Sequence, residues 1–329
     1  MISESKLRRL RALSTPDGII AALAIDQRKS MRRMMADAAD VPLEQISDGQ
    51  LQEFKTAVVR ALTPHASAVL LDTDYGLPAA KARAPGCGLL LTYEVDGYEN
   101  PRPHKMLALQ PRLSVSRLRD LGADGVKILL TYSPFDDLSA NDEKHALIER
   151  IGAECAGLDM PFFLEPVGYD PGGLDPKSFE YAQSQPEIVI AMLREFSNPV
   201  YQVDILKVEF PVNAAFVQGN KSCTGQTAFS REEALAIHRE ADAAASLPYI
   251  FLSAGVSSEQ FAHQLELAAA AESRYSGVLC GRATWQDGAV AFARGGLGAL
   301  EAWLATEGTR KICAVNQAVQ PAKSWLGVQ

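Results

Sequence analysis

Eight apolar segments of strand length recur along the chain, and they constrain its fold more than any other feature. Between most of them lie stretches in which apolar residues repeat at helical spacing. Strands that alternate with helices pair in parallel, and the helices then cover both faces of the sheet. The predicted strands are residues 18–25, 68–72, 88–92, 125–130, 161–165, 204–210, 248–253 and 276–280.

The predicted helices cover residues 51–62, 114–121, 143–156, 186–196, 231–245 and 259–271. Eight continuous apolar strands without a long linker favour a closed sheet, so the sequence predicts an α/β fold, a single (β/α)8 TIM barrel. Residues 1–329 are expected to form one domain, with N-terminal and C-terminal extensions packed on the barrel. The apolar segment around residues 312–319, which ends near Trp325, could cap the barrel or form a subunit interface.

Charge and cysteine usage exclude several classes of protein. A net charge of -8 opposes nonspecific binding to nucleic acid or to an anionic membrane. The apolar runs are shorter than the roughly 20 residues that span a bilayer, and the polar start of the chain does not resemble a signal peptide. The five cysteines are scattered without a CxxC pair, which fits a reducing compartment. A cytoplasmic location is therefore expected.

A lysine inside an apolar strand is the strongest indication of chemistry. Lys207 lies in the sixth predicted strand, and the fourth and fifth strands carry Lys127 and Glu165. An ammonium group in such a strand is costly to desolvate unless it is paired, neutral or covalently used. Because burial and a nearby cation both lower the pKa of an amine, the pattern indicates an amine nucleophile that forms a Schiff base.

Strand alternation predicts where Lys207 points. Its side chain shares a face with Ile205 and Glu209, whereas the side chains of Leu206 and Val208 face the surrounding helices. Lys207 is therefore expected inside the barrel.

The alternative hypothesis is a structural ion-pair network in which Lys127 and Lys207 pair with Glu165 and Glu209. The convergence of two lysines and a carboxylate on three consecutive strands, at the face where barrels place their active sites, favours catalysis.

The turns after the seventh and eighth strands form a candidate phosphate site. Ser253 and Gly255 follow one strand, and Gly281 and Arg282 follow the next. Exposed backbone amides and a guanidinium group bind phosphate well at this position of a barrel. Tight turns alone would also require the glycines, so Ser253 and Arg282 carry more weight.

Other kinds of site are poorly supported. The five histidines are far apart and lack HxH or HExxH spacing, so no metal site is predicted. No GxSxG elbow, dinucleotide-binding glycine motif or P-loop occurs. Chemistry without a cofactor is the simplest interpretation.

The motifs resemble one known family nearly end to end and in order. The segments AIDQR (residues 24–28), FLE (163–165), ILKVE (205–209), YIFLSAGVS (249–257) and GVLCGRATW (277–285) look like those of the tagatose 1,6-diphosphate aldolases. These are class I, Schiff-base aldolases, and related sulfofructosephosphate aldolases belong with them. The resemblance implies a cofactor-free homo-oligomer that cleaves a ketose 1,6-bisphosphate into dihydroxyacetone phosphate and glyceraldehyde 3-phosphate.

The resemblance also implies roles for individual residues. It makes Lys207 the Schiff-base lysine, Lys127 a second active-site lysine and Glu165 the acid/base group. The residues implied in substrate binding are Asp26 and Gln27 for the sugar, Arg28 for the second anionic group, and Ser253, Gly255, Gly281 and Arg282 for the phosphate of the dihydroxyacetone phosphate portion.

The sequence departs from the family pattern at two places beside the implied site. Arg28-Lys29-Ser30 replaces the usual Arg-Gly-Ala, and Glu165-Pro166-Val167 differs from the aliphatic run that usually follows the glutamate.

Two alternative functions remain open. An aldolase that cleaves 6-deoxy-6-sulfofructose 1-phosphate into dihydroxyacetone phosphate and sulfolactaldehyde would use the same chemistry on a sulfonate. A non-catalytic phosphosugar-sensing barrel would keep phosphate binding at Arg282, but it would not require Lys207 and Glu165 together.

Overall fold

The barrel predicted from the alternating pattern is confirmed. The structure is a computed structural model that describes residues 2–95, 97, 100–223 and 225–327. Its parallel strands pair in chain order, and the last strand pairs with the first to close the barrel. The strands are β1 (Ile20–Ile25), β2 (Ala68–Leu71), β3 (Gly88–Thr92), β4 (Gly125–Tyr132), β5 (Phe162–Gly168), β6 (Ile205–Val208), β7 (Tyr249–Leu252) and β8 (Gly277–Cys280).

Helices surround the barrel and follow its strands. The α-helices are α1 (Glu4–Ala12), α2 (Lys29–Ala39), α3 (Asp48–Leu62), α4 (Leu77–Ala80), α5 (Val115–Asp120), α6 (Leu138–Gly157), α7 (Phe179–Phe196), α8 (Arg231–Ala244), α9 (Ser258–Ala270), α10 (Arg282–Trp285), α11 (Gly288–Trp303) and α12 (Thr309–Ala318). A π-helical segment, Leu304–Gly308, joins α11 to α12. Short 3-10 helices lie at Leu43–Gln45, Thr63–His65, Pro103–Lys105, Pro199–Tyr201, Ala214–Phe216 and Trp325–Gly327.

Helix α7 is longer than its predicted counterpart. The sequence predicts a start at Pro186, because proline is favoured in the first turn of a helix. The helix instead begins at Phe179, after Ser178 accepts a hydrogen bond from the Tyr181 amide, and it passes through Pro186. The Gln185 side-chain amide donates a 2.8 Å hydrogen bond to the Phe210 carbonyl. This contact holds the additional turns of α7 against the strands.

Side chains alternate between the barrel interior and the helix layer as predicted. Leu206 and Val208 belong to the large apolar cluster between strands and helices. Ile205 packs with Phe163, Ile250 and Leu279 in a second cluster inside the barrel. Lys207 therefore points inward, because it occupies the same face of β6 as Ile205.

The amino-terminal end of the barrel is closed by both ends of the chain. Leu10 and Leu13 pack into the interior apolar cluster, as does Trp325, which is 1% exposed. The Trp325 amide also donates to the Gly18 carbonyl over 3.1 Å. Trp325 thus closes this end of the barrel, whereas the apolar segment around residues 312–319 packs in the large apolar cluster between strands and helices.

Polar residues lie above this apolar floor. Lys127, Glu165 and Lys207 are buried in the interior, and a small cluster of Leu129, Val167 and Leu252 also lies there. Within the described residues, no helix is both long and apolar enough to cross a membrane.

Candidate active site

Three neighbouring strands bring two lysines to one carboxylate. Glu165 on β5 lies 2.6 Å from Nζ of Lys127 on β4, through Oε2, and 2.7 Å from Nζ of Lys207 on β6, through Oε1. None of the three side chains is more than 4% exposed. Although burial opposes ionisation, the two lysines lower the pKa of Glu165. The carboxylate is therefore held charged between two amines.

Lys127 is held by more than one carboxylate. Its Nζ lies 3.2 Å from Asp26 and 3.0 Å from Glu94, in addition to Glu165. Burial alone would favour the neutral amine, but these carboxylates together raise the pKa of Lys127 above its ordinary value. Lys127 is therefore a fixed positive charge.

Asp26 and Glu94 both lie just beyond the carboxyl end of a strand. Asp26 directly follows β1, and Glu94 lies two residues after β3. Burial opposes ionisation of Asp26, but Lys127 and then Lys207 lower its pKa. Asp26 was predicted from the sequence, but Glu94 was not. An acidic residue just beyond the carboxyl end of a predicted strand is the signal that could have identified it.

A buried lysine on α3 fixes the loop after β1. Lys55 Nζ donates hydrogen bonds to the Ile25 carbonyl over 2.7 Å and to the Gln27 carbonyl over 2.8 Å, and it also contacts the Asp72 carboxylate. Both side chains of the Lys55–Asp72 pair are fully buried. Asp72 in turn accepts a 2.6 Å hydrogen bond from the Tyr75 amide, so one ion pair links the loops after β1 and β2. Lys55 was not predicted from the sequence, because lysines on helices are normally solvated.

Arg28 joins three loops at the barrel mouth. Its guanidinium donates hydrogen bonds to the Asp74 carboxylate over 3.1 Å, to the Glu94 carbonyl over 3.1 Å and to the Val95 carbonyl over 2.6 Å. The side chain is only 11% exposed. Most of its donors are thus bonded to protein oxygens.

A cavity of about 300 Å³ opens at the barrel mouth beside Arg28. It is lined by Asp26, Gln27, Arg28, Lys29, Ser30, Arg32, Asp74, Tyr75, Val95, Gly97, Leu129 and Arg282. Among the described residues, the side-chain oxygen of Gln27 is buried without a hydrogen-bond partner. The cavity therefore joins the predicted sugar-binding loop to one of the predicted phosphate-binding residues.

The four predicted phosphate-site residues lie together after β7 and β8. The Gly281 amide lies 3.5 Å from the Ser253 hydroxyl oxygen, which accepts its hydrogen bond. Gly255 has a φ of +77°, and a Cβ atom there would lie 2.6 Å from Cζ of Arg282. Only glycine lets the guanidinium approach this turn so closely.

The structural ion-pair hypothesis pairs Glu209 with a lysine, but the structure places its carboxylate at a backbone amide. Its Oε2 accepts a 2.8 Å hydrogen bond from the Gly168 amide. Burial, together with the nearby negative charge of Glu165, raises the pKa of Glu209 to about 7. The network around Lys127 instead contains Asp26, Glu94 and Glu165.

No group of three or more His, Cys, Asp or Glu side chains in the described part of the chain has the arrangement of a metal site.

Comparison with known proteins identifies the family. A family model described as DeoC/LacD family aldolase matches residues 20–287. The chain belongs to the DeoC/LacD family of aldolases. This aldolase is thus an enzyme of the aldehyde-lyase class, and the resemblance seen in its sequence motifs is confirmed.

Curated relatives match the aldolase over nearly its whole length. Tagatose 1,6-diphosphate aldolase 2 of Enterococcus faecalis is 47% identical, over 98% of this chain and 96% of the relative. Tagatose 1,6-diphosphate aldolase of Listeria monocytogenes is 44% identical, over 96% and 92%. The Streptococcus agalactiae protein of that name is 42% identical, over 98% of both chains.

A solved structure supports the fold alone. Fructose-bisphosphate aldolase from Plasmodium falciparum, in complex with TRAP and a small-molecule inhibitor, aligns with a TM-score of 0.67. The alignment covers 98% of this aldolase and 96% of the other chain, at 13% sequence identity.

Proposed function

We propose that this aldolase cleaves a ketose 1,6-bisphosphate of the tagatose 1,6-bisphosphate type through a Schiff base on Lys207. The products are dihydroxyacetone phosphate and glyceraldehyde 3-phosphate. The observation that carries the proposal is the bridge of Glu165 between Lys127 and Lys207. Lys127 also contacts Asp26, which lines the cavity together with Arg282. The names of the curated relatives support the choice of substrate.

The surroundings of the two lysines favour Lys207 as the nucleophile. Lys127 is held as a cation by three carboxylates, and a protonated amine cannot attack a carbonyl. Lys207 pairs with Glu165, to which it can pass a proton over 2.7 Å. The neutral Lys207 amine then attacks C2 of the ketose. Glu165 returns its proton to the C2 hydroxyl of the carbinolamine, which leaves as water, so that a protonated imine and the Glu165 carboxylate result.

Glu165 moves the remaining protons. Directly or through one water, its carboxylate takes the proton from the C4 hydroxyl, the C3–C4 bond breaks, and the electron pair enters the imine to give an enamine. Glyceraldehyde 3-phosphate leaves, the enamine is protonated at C3, and hydrolysis of the imine releases dihydroxyacetone phosphate. Acid/base help of this kind contributes about 10² to 10⁴ in rate.

Different residues bind different parts of the substrate. Ser253, Gly255, Gly281 and Arg282 hold the phosphate of the dihydroxyacetone phosphate portion. Asp26 and Gln27 face the sugar, where the buried Gln27 oxygen offers an acceptor for a hydroxyl group. Arg28 borders the end that receives the second anionic group.

The test is reduction with borohydride in the presence of dihydroxyacetone phosphate, followed by intact-mass analysis and peptide mapping. We expect an adduct on Lys207 in the wild type and none in Lys207→Ala. Lys221→Ala is the matched control, since Lys221 is exposed and pairs with Glu266. Glu165→Gln should still form some adduct but turn over at least about 100-fold more slowly. An adduct-free wild type, or wild-type turnover by Lys207→Ala, would contradict the mechanism.

We also propose that the enzyme is a cytoplasmic homo-oligomer. The family resemblance supports this, and Phe135 and Leu138, three positions apart in sequence, expose 52% and 79% of their surface, which association would bury. Sedimentation velocity should give a species larger than the 35.5 kDa chain. A monomer at micromolar concentration would contradict the proposal.

A further inference from the structure

The loop after β3 forms one side of the cavity. Val95 and Gly97 line the cavity, and Glu94, which contacts Lys127, lies near the start of the loop. The loop doubles back on itself, because the Val95 amide donates a 2.8 Å hydrogen bond to the Ala108 carbonyl. The position of this loop therefore sets the shape of the cavity on that side.

Both ends of the loop are held at the barrel mouth. At one end, Arg28 donates to the carbonyls of Glu94 and Val95, as described above. At the other end, the Gln110 side-chain amide donates to the Asp74 carboxylate over 3.1 Å, and Asp74 is also the partner of Arg28. One network thus holds the two ends, whereas the residues between them need another contact to stay in place.

The backbone is strained in the middle of this loop. His104 and Lys105 have φ angles of 49° and 52°, in the left-handed region that is unfavourable for residues with a Cβ atom. Asn100 supports this turn from within the loop, since its side-chain amide donates 2.9 Å hydrogen bonds to the carbonyls of Lys105 and Met106. Strain of this kind persists only where the surrounding contacts determine the conformation.

A contact between His104 and Asp136 joins the strained turn to the rest of the barrel mouth. Nδ1 of His104 lies 2.8 Å from Oδ1 of Asp136, in the loop after β4. Asp136 also accepts hydrogen bonds from Tyr169, directly after β5, and from Lys144 of α6 over 3.4 Å. Burial opposes ionisation of Asp136, but the hydrogen bonds from Tyr169 and then His104 lower its pKa to about 2. Asp136 is thus a charged group to which three elements are attached.

His104 is the most exposed side chain of this cluster. It is 48% exposed, whereas the side chains of Asp136 and Lys144 are 4% and 0% exposed. The Asp136–Lys144 pair therefore stays intact when His104 is substituted, and the loop alone loses a contact.

We propose that His104 is a positioning residue, whose contact with Asp136 holds the loop after β3 so that the cavity wall is complete before the substrate binds. Without this contact the loop samples other arrangements, and only the molecules with a complete wall bind the substrate. The apparent affinity then falls in proportion to that fraction, while the rate of the bound complex is unchanged. The kinetic consequence rests on the proposed function.

Three variants test the inference. His104→Ala removes the donor and leaves the strained backbone. His104→Asn is the conservative variant, because its amide nitrogen takes the place of Nδ1 and asparagine tolerates a left-handed backbone. His65→Ala is the control, since His65 is exposed and precedes β2 at the opposite end of the barrel.

For His104→Ala we expect KM on tagatose 1,6-bisphosphate to rise about 5-fold at unchanged kcat, because the lost contact is partly screened by solvent. His104→Asn and His65→Ala should keep the wild-type KM. Hydrogen–deuterium exchange of the free enzyme should be faster in His104→Ala for the peptide that covers residues 93–110, and unchanged for peptides of α12.

Two results would overturn the inference. One is wild-type exchange of residues 93–110 in His104→Ala, and the other is a loss of kcat at unchanged KM, which a positioned wall does not explain. If the wild type does not cleave tagatose 1,6-bisphosphate, the proposed function fails. Hydrogen exchange needs no substrate and then decides the inference separately.

Discussion

Lys127 and Lys207 are similar residues on neighbouring strands, and their surroundings give them different properties. Lys127 meets Asp26, Glu94 and Glu165, all within 3.2 Å of its ammonium nitrogen. Fully buried, such a cation is tolerated because each carboxylate offsets part of the cost of desolvation. The same carboxylates make it a permanent charge. The division of roles that we propose, between a nucleophile and a fixed cation, thus follows from the number of carboxylates that each lysine meets.

Glu209 should make the stability of the enzyme depend on pH. Its pKa is raised to about 7 in the folded protein, so between pH 4.5 and 7 the folded state binds more protons than the unfolded state. The free energy of unfolding therefore falls as pH rises through this range, by about 3 kcal/mol at most.

Glu209→Gln should remove this contribution, because the amide oxygen still accepts the Gly168 hydrogen bond but does not ionise. Urea unfolding at several pH values between 4.5 and 7.5 measures the difference. The exposed variant Glu266→Gln is the control. If the free energy of unfolding depends on pH in the same way in Glu209→Gln and in the wild type, Glu209 does not titrate in this range.

At the scale of secondary-structure elements, the end of β1 is held in place by α3. Lys55 reaches from the helix to two carbonyls that flank Asp26, and its partner Asp72 directly follows β2. Asp26 in turn contacts Lys127, so the position of the fixed cation depends on a buried pair outside the site.

Lys55→Met should destabilise the fold by about 3 to 5 kcal/mol, because it leaves Asp72 buried without its partner. Lys55→Met/Asp72→Leu removes both charges and should recover part of that stability. Neither variant restores the donor to the Ile25 and Gln27 carbonyls, so both should have low kcat. Urea unfolding and kcat, measured on both, separate the two effects. Wild-type kcat in the double variant would mean that the pair stabilises the fold without positioning Asp26.

The sequence located the strands better than the helices. Each predicted strand matches an observed one, because buried parallel strands are continuous apolar runs that end at turns. Helix α2 was not predicted, and it begins after Arg28 without a side-chain cap, so the usual start signal is missing. Helix α7 was predicted too short because its early turns are stabilised by tertiary contacts that outweigh the cost of Pro186.

For the molecule as a whole, the two chain ends act as a plug at the face opposite the site. Trp325 packs in the same interior cluster as Leu10 and Leu13 of the α1 region, and Lys6 forms a 2.8 Å ion pair with Asp204 just before β6. The barrel interior is thus apolar at one end and charged at the other.

Trp325→Ala should destabilise the protein by about 3 to 5 kcal/mol, since it leaves a cavity in the barrel floor. Activity at low temperature should remain near that of the wild type, because the substituted residue lies away from the lysines. Chemical unfolding and kcat/KM at 15 °C measure the two quantities, and Leu326→Ala is a partly exposed neighbouring control. A large fall in kcat/KM for folded Trp325→Ala would show that the floor and the site are coupled.

The sequence by itself determined the barrel, the inward direction of Lys207 and the strand ends that carry the candidate site residues. These depend on local patterns, since the period of apolar residues and the alternation of a strand can be read along the chain. Only the tertiary structure revealed that Glu94 joins Lys127, that Lys55 crosses to the end of β1 and that Arg28 is bonded to protein oxygens. Each of these contacts joins residues more than 25 positions apart in the chain. Their energies depend on burial and distance, which exist only once the strands have closed into the barrel.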